Sequence, residues 1–313
     1  MNIYQYTIRR TLYAVPILIG VTLVIFLLFN VVAGDPTAVL LGKYATPHQM
    51  AELRHELGLD RPWLLQYFDT LQSAFTLNFG RSWATKQQIV RMIQGGAVAS
   101  LTLSVPAFAI SSLVAIAIAL LAAFFRGTLL DRILVVVSVI MMSISVLAYI
   151  LFGQWFFAYK LGWFEIAGYE YGFPDSIPYV ILPAIIWIVL SIGPDMRFYR
   201  TVMLDEVYQD YVRTARAKGL ANRAILFKHV LKNAMIPIIT NLVIQLPTLI
   251  LGALLIENFF GIPGLGGITL QAIENSDFPV IKAMTILSAV FYILFNIIID
   301  VLYTLVDPRV TLT

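Results

Sequence analysis

The chain has 313 residues, 59% of them hydrophobic and 12% charged, with a mean hydropathy of +0.84 and a formal charge of +3. Soluble domains carry about a quarter charged residues, so water is not the main solvent of this polypeptide. It has no cysteine, which excludes a disulfide framework or a thiolate metal site, and so small a basic excess does not point to nucleic acid.

Six uncharged stretches follow one another at 12–32, 100–125, 133–159, 177–194, 233–256 and 283–299. Most reach the roughly 18 to 20 residues that cross a bilayer core as a helix. The expected fold is therefore an all-α integral membrane protein with six transmembrane helices. Arg9 and Arg10 before the first stretch resemble a signal peptide, but the apolar run is longer than the ~7 to 15 residues of a signal core and reads as an uncleaved span. With both termini cytoplasmic, the inner segments hold 13 of the 21 Lys and Arg residues, which fixes the expected sidedness. Interior prolines at Pro16, Pro106, Pro183, Pro237 and Pro247 suit kinked helices, though proline is common in membrane helices generally.

The hydrophilic segment after the first span is too long for a turn and is read as a helical extracytoplasmic insertion. Within it Thr46, Pro47 and Gln49 predict a capped helix start, and Gly58 predicts its end. A second helix is predicted from about Arg61 and Pro62, with Leu64, Phe68, Leu71 and Phe75 on one stripe suited to the membrane or a partner. The expected division is 1–32 as the first transmembrane helix, 33–97 as the insertion, 98–306 as a core of five helices with a loop at 200–232, and 307–313 as a cytoplasmic tail.

No phosphate-binding loop, zincin motif or nucleophile elbow occurs, so no enzyme is expected. His48 and His55 are seven residues apart without a third ligand, and His229 lies in a basic loop. Acids near span ends, Asp195, Glu257 and Asp300, are the nearest candidates for the ion relay that a secondary transporter needs. Polar groups such as Ser143, Ser145, Gln154, Asn241 and Gln245 suit a solute pathway or ordinary helix contacts.

The loop from Asp205 to Leu220 places acids first and bases last, as a helix dipole favours, and Gly219 is positioned to end a helix in a left-handed turn. Tyr211, Ala215 and Lys218, or Tyr208, Val212 and Ala215, would share a face with small residues at its centre. Such a face admits close approach by another protein, although a loop helix lying on anionic lipid fits the same pattern.

The run Asp210-Tyr211-Val212-Arg213-Thr214-Ala215-Arg216-Ala217-Lys218-Gly219 closely resembles the coupling segment of ABC importer permeases of the dipeptide, oligopeptide and nickel branch. Gly34-Asp35-Pro36, the 57–62 segment Leu-Gly-Leu-Asp-Arg-Pro, Ile256-Glu257, the 261–266 segment Gly-Ile-Pro-Gly-Leu-Gly and Asp307-Pro308-Arg309 agree in order. The long insertion resembles that of the B-type subunit. Arg213 stands where the general pattern opens with glutamate, and Leu231-Lys232 replaces its later Leu-Pro, as is usual in this branch.

The resemblance implies the type I importer permease fold and alternating access driven by two cytoplasmic ABC ATPases, which would carry the ATP and Mg that this chain does not bind. It further implies a homologous C-type permease, an extracytoplasmic solute-binding protein and contact with membrane lipid. The coupling residues would be Tyr208, Asp210, Tyr211, Arg213, Thr214, Ala215, Arg216, Ala217, Lys218 and Gly219, with Tyr211 and Ala215 packing on the ATPase. Di- or oligopeptides are the expected cargo, with nickel chelates or glutathione as alternatives. An ion-coupled transporter and a membrane-embedded enzyme are the rival classes.

Overall fold

The computed structural model describes residues 3–32, 36–42 and 45–306, and among these the fold is helical, with no β-structure beyond an isolated bridge between Arg81 and Gln88. The helices are α1 (Ile3–Leu27), α2 (Pro36–Leu41), α3 (Pro47–Glu56), α4 (Trp63–Thr76), α5 (Ile89–Phe124), α6 (Leu129–Ser143) and α7 (Val146–Gly153). They continue with α8 (Ile177–Val207), α9 (Asp210–Ala217), α10 (Asn222–Ile225), α11 (Leu231–Leu251), α12 (Leu254–Phe259), α13 (Leu265–Glu274) and α14 (Phe278–Val306). Widened π-type turns prolong α1, α7 and α10 over Leu28–Val32, Gln154–Lys160 and Leu226–Val230.

Five segments are long and apolar enough to span a membrane: Ile8–Asn30, Ile89–Phe124, Ile177–Val207, Asn222–Phe259 and Phe278–Ile298. The expected count of six is reached only when α6 and the helix after it are taken as one broken span. The uninterrupted span expected at 133–159 is in fact bent by 89°. Ile144 and Ser145 adopt extended backbone at the break, so the bend arises from two non-helical residues and not from a proline. Exposed side chains along these helices are apolar, with Leu12 at 64% and Leu113 at 69% accessible. In lipid such faces need no cover, which reverses the rule for soluble proteins.

The chain forms two compact units, one drawn from the residues up to Val98 together with those from Gly264 onward, the other Ala99–Pro263. In the first unit Ile25 of α1, Ala74 of α4 and Ile286 of α14 form a core, with Val21, Phe29, Phe79 and Val290 against it. Tyr67 meets Phe26 edge-on at 5.6 Å and donates its hydroxyl to the Ile19 carbonyl at 3.0 Å. Buried Asp277 gathers the 82–84 loop by accepting the Ser82 hydroxyl, the Trp83 N–H at 3.0 Å and the Ala84 N–H at 3.3 Å. Helix α3 starts as the sequence predicts. Thr46 accepts the Gln49 N–H at 3.3 Å, Gln49 Oε1 accepts the Thr46 N–H at 3.0 Å, and Gly58 takes a left-handed φ of +67° beyond the helix end. On α4, Leu64, Phe68 and Phe75 of the expected stripe are exposed and Leu71 is half-buried.

In the second unit small residues let helices approach closely: Ala115, Ala119, Ala122 and Ala123 of α5 are buried beside Met196, Tyr199 and Met203 of α8 and Ala234 and Ile238 of α11. Arg200 grips Asp131 with two parallel bonds, Nε to Oδ1 at 2.7 Å and Nη2 to Oδ2 at 2.8 Å. Asp131 also accepts the Gly127 N–H at 2.9 Å, so the turn between α5 and α6 is tied to α8.

Of the acids expected near span ends, Glu257 is two residues from the end of its span and Asp195 lies deeper. Asp195 is well inside α8, buried, and accepts the Gln245 amide at 3.1 Å. Glu257 is fully buried, accepts the Ser100 hydroxyl at 2.7 Å and the Ala253 N–H at 3.2 Å, and lies where a side chain on Gly252 would be. The longer α8 explains the shift of Asp195, because the helix runs thirteen residues past Pro194, where the sequence suggested its end. The backbone of α14 continues past Asp300 to Val306, while that side chain and the 307–313 tail lie outside the described residues.

Candidate coupling site

Helix α8 has 31 residues, a length of about 46 Å at 1.5 Å per residue, against a hydrocarbon core of ~30 Å. It therefore projects beyond the apolar layer, and the chain turns at its end. Tyr208 remains near-helical, Gln209 is extended, and α9 starts at Asp210 with no side-chain cap. Its far end closes in a Schellman arrangement. Leu220 N–H donates to the Ala215 carbonyl at 3.3 Å and Gly219 N–H to the Arg216 carbonyl at 2.9 Å, with Gly219 at φ +76°. The expected left-handed glycine is thus in place. Nothing lies within 4 Å of where its side chain would be, so backbone conformation and not crowding requires glycine there.

The expected charge ordering is altered. Asp205 and Glu206 belong to the last turn of α8 and only Asp210 opens α9, because the break at Tyr208 and Gln209 divides the loop into two helices. Arg216 in the last turn keeps the favourable dipole placement.

The expected packing face is also turned the other way. Val212 and Ala215 are buried, at 0% and 4% exposure, in the core that holds Ala119, Ala122, Met203, Val207, Ile225 and Val230, and Tyr211 packs against it. At helical spacing these positions form one stripe, and the apolar stripe faces this chain's own core. Tyr211 and Ala215 are therefore anchors and not an outward approach surface. The Tyr211 hydroxyl donates to Glu206, and burial, aided by that carboxylate, pushes its pKa up to about 12. Outward lie Tyr208, Asp210, Arg213, Thr214, Ala217, Lys218 and Gly219, all exposed, while Arg216, also exposed, borders the cavity beside Val212. Arg213 reaches Asp210 at 3.5 Å across open solvent, a pair of little energetic weight. The result is a charged face on a rigidly seated helix.

The supposed pathway groups mostly tie helices together. Gln154 donates to the carbonyls of Ile166 at 3.1 Å and Phe259 at 2.9 Å and Asn241 to Tyr199 Oη at 3.4 Å, while Ser143 bonds within its own helix, to the Val139 carbonyl at 2.8 Å. His55 pairs with Asp60 at 2.7 Å and His48 lies 3.9 Å from Glu52, each on an exposed surface. Sequence reasoning passed over the Asp131–Arg200 fork and Arg126, which was counted only toward sidedness. The available signal was a lone acid beside two arginines in an otherwise apolar stretch.

Residues 115–312 match the family model described as binding-protein-dependent transport system inner membrane component, and residues 3–89 match its N-terminal companion. The chain is 35% identical to the probable peptide ABC transporter permease y4tP of Sinorhizobium fredii, covering 97% of this chain and 98% of that protein. It is 30% identical to the dipeptide transport system permease DppB of Alkalihalophilus pseudofirmus and 32% identical to the oligopeptide transport system permease AppB of Bacillus subtilis, each over 97% of this chain and 98% of the relative. This multi-pass membrane chain belongs to the binding-protein-dependent transport system inner membrane components, the permeases of ABC importers.

Proposed function

We propose that the chain is the B-type permease of a peptide importer and that its α9 face transmits the ATPase stroke. What supports the peptide reading is similarity over nearly the whole chain to relatives named as peptide, dipeptide and oligopeptide permeases. As a permease the chain is not itself an enzyme. ATP hydrolysis is assigned to two cytoplasmic ATPases, solute delivery to an extracytoplasmic binding protein, and the second half of the pathway to a C-type permease. On this reading the 33–97 insertion is extracytoplasmic, and ATP with Mg belongs to the partners.

The observation that carries the coupling assignment is the division of α9 into a buried apolar half and an exposed charged half. A helix transmits force only if it is fixed to its own body and free on the other side. Val212 and Ala215 supply the fixing, so closure of an ATPase groove around Asp210, Arg213, Thr214, Ala217 and Lys218 would move α5, α8 and α11 together. Partner closure shifts the permease equilibrium only by the difference in its affinity for the two permease states.

The test is dipeptide uptake by the assembled complex in proteoliposomes, with ATP hydrolysis read in parallel. Arg213→Glu with Lys218→Glu is expected to cut both by more than about tenfold, the scale of losing two interfacial charges and gaining two repulsive ones. Wild-type rates in that variant would remove α9 from the joint. Uptake of nickel chelates or glutathione in place of dipeptides would change the cargo and leave the joint intact.

A further inference from the structure

Beneath α9 lies a cavity of about 540 Å³ whose polar lining is Arg126, Arg216 and Asn222, set among apolar residues that include Ala123, Val212 and Leu226. No carboxylate is among the lining residues described. Arg126 Nη1 is buried with no hydrogen-bond partner among the described residues, and its guanidinium lies 5.0 Å from the centre of the Tyr208 ring. A buried guanidinium N–H left without an acceptor is costly, so its neighbourhood is built for an anion. Two guanidinium groups on one cavity suit a group with several oxygens, since each can offer parallel donors to a phosphate.

The position of the cavity narrows the ligand. Its lining takes in Phe124, at the end of the uncharged 100–125 stretch, with Arg126 directly beyond it. Span ends mark the depth of lipid headgroups, and basic pockets there bind anionic lipid. The apolar residues of the lining, Ala123, Val212 and Leu226 among them, would accommodate glycerol and acyl carbons beside the phosphate.

We propose that this cavity binds the phosphate of an anionic phospholipid, held between Arg126 from the turn after α5 and Arg216 from α9. Occupancy would brace α9 against the end of α8 through the Arg126–Tyr208 stack, so the bound lipid would set the pose of the coupling helix. The lipid site itself does not depend on the coupling reading, but that last consequence does.

The experiment uses the whole importer, with its partner permease and ATPases, purified in detergent and exposed to equal amounts of dioleoylphosphatidylglycerol and dioleoylphosphatidylcholine. Retained lipid is counted by native mass spectrometry. The wild type is expected to retain the glycerol lipid about tenfold over the choline lipid, the scale of one or two charge-assisted hydrogen bonds. Arg126→Gln should remove that preference and Arg126→Lys should restore part of it. A diazirine-bearing phosphatidylglycerol should crosslink the wild type within 123–126 or 222–230, a readout that needs no variant. Equal retention of the two lipids by the wild type, or an undiminished preference in Arg126→Gln, would overturn the site. Displacement of the lipid by millimolar inorganic phosphate would overturn the lipid assignment. Selective lipid retention by the wild type with no effect of that lipid on its ATP hydrolysis would count against the coupling reading alone.

Discussion

Helices α3 and α9 are both short and surface-bound, yet they are stabilised in opposite ways. Helix α3 has a reciprocal capping box, a proline in its first turn and no buried residue. Helix α9 has no side-chain cap, two fully buried residues and a glycine-closed end. The first is held by local chemistry that any chain could carry, and the second by its seat in a core built from three long helices. A locally stabilised helix can lose its cap without consequences elsewhere. A helix seated in the core moves when the core moves, which is what coupling requires.

The sharpest challenge to this contrast is Ala215→Glu. A carboxylate forced into the seat of α9 would be buried without a partner, and uptake and stimulated ATP hydrolysis by the assembled importer should fall to background. Survival of both would mean that α9 is not seated as described. Next in size is Asp131→Ala, which strands Arg200 and frees the turn that carries Arg126. Breaking this nearly buried fork should cost about 3 kcal/mol, seen as a lower midpoint of thermal unfolding in detergent.

Gly219→Val should cost more than about 1 kcal/mol, since a β-branched residue resists the left-handed turn. Hydrogen exchange across 210–220 should rise together with a loss of coupling. By contrast, Thr46→Ala should raise exchange only in α3, at a cost of about 1 kcal/mol, and leave uptake unchanged. A fall in uptake would show that α3 is more than a locally stabilised element.

The smallest effect expected is that of pH on the turn after α3. The hydrogen bond to Asp60 raises the pKa of His55 above 6.5, and the same bond lowers that of Asp60 below 3.8. The histidine contribution is complete below its ordinary pKa and is lost as pH rises through the raised one. The aspartate contribution is complete above its ordinary pKa and is lost as pH falls through the lowered one. Exchange protection of the 55–60 turn should therefore be greatest between pH 3.8 and 6.5 and decline on either side, with no change in coupling.

Much of the architecture was legible because lipid imposes a simple rule on sequence: uncharged length implies a span. The Thr46 cap, the stop at Gly58 and the turn at Gly219 were legible for a different reason, since each depends on backbone chemistry within a few residues. The break at Ile144 and Ser145 was not, because nothing about those two residues forbids a helix. The facing of α9 was not either. Its periodicity marks Val212 and Ala215 as one stripe, and a stripe with small residues suits an external partner and an internal core equally well.

The sequence by itself determined that this protein lives in lipid, where its long helices run, and which local signals start and stop the short ones, because those properties depend on composition and near neighbours. Only the tertiary structure decided which half of α9 faces inward, that Asp131 and Arg200 meet 69 residues apart, and that Arg126 and Arg216 share one cavity. Those outcomes depend on which helices pack together, and that arrangement brings into contact side chains whose separation along the chain carries no trace of it.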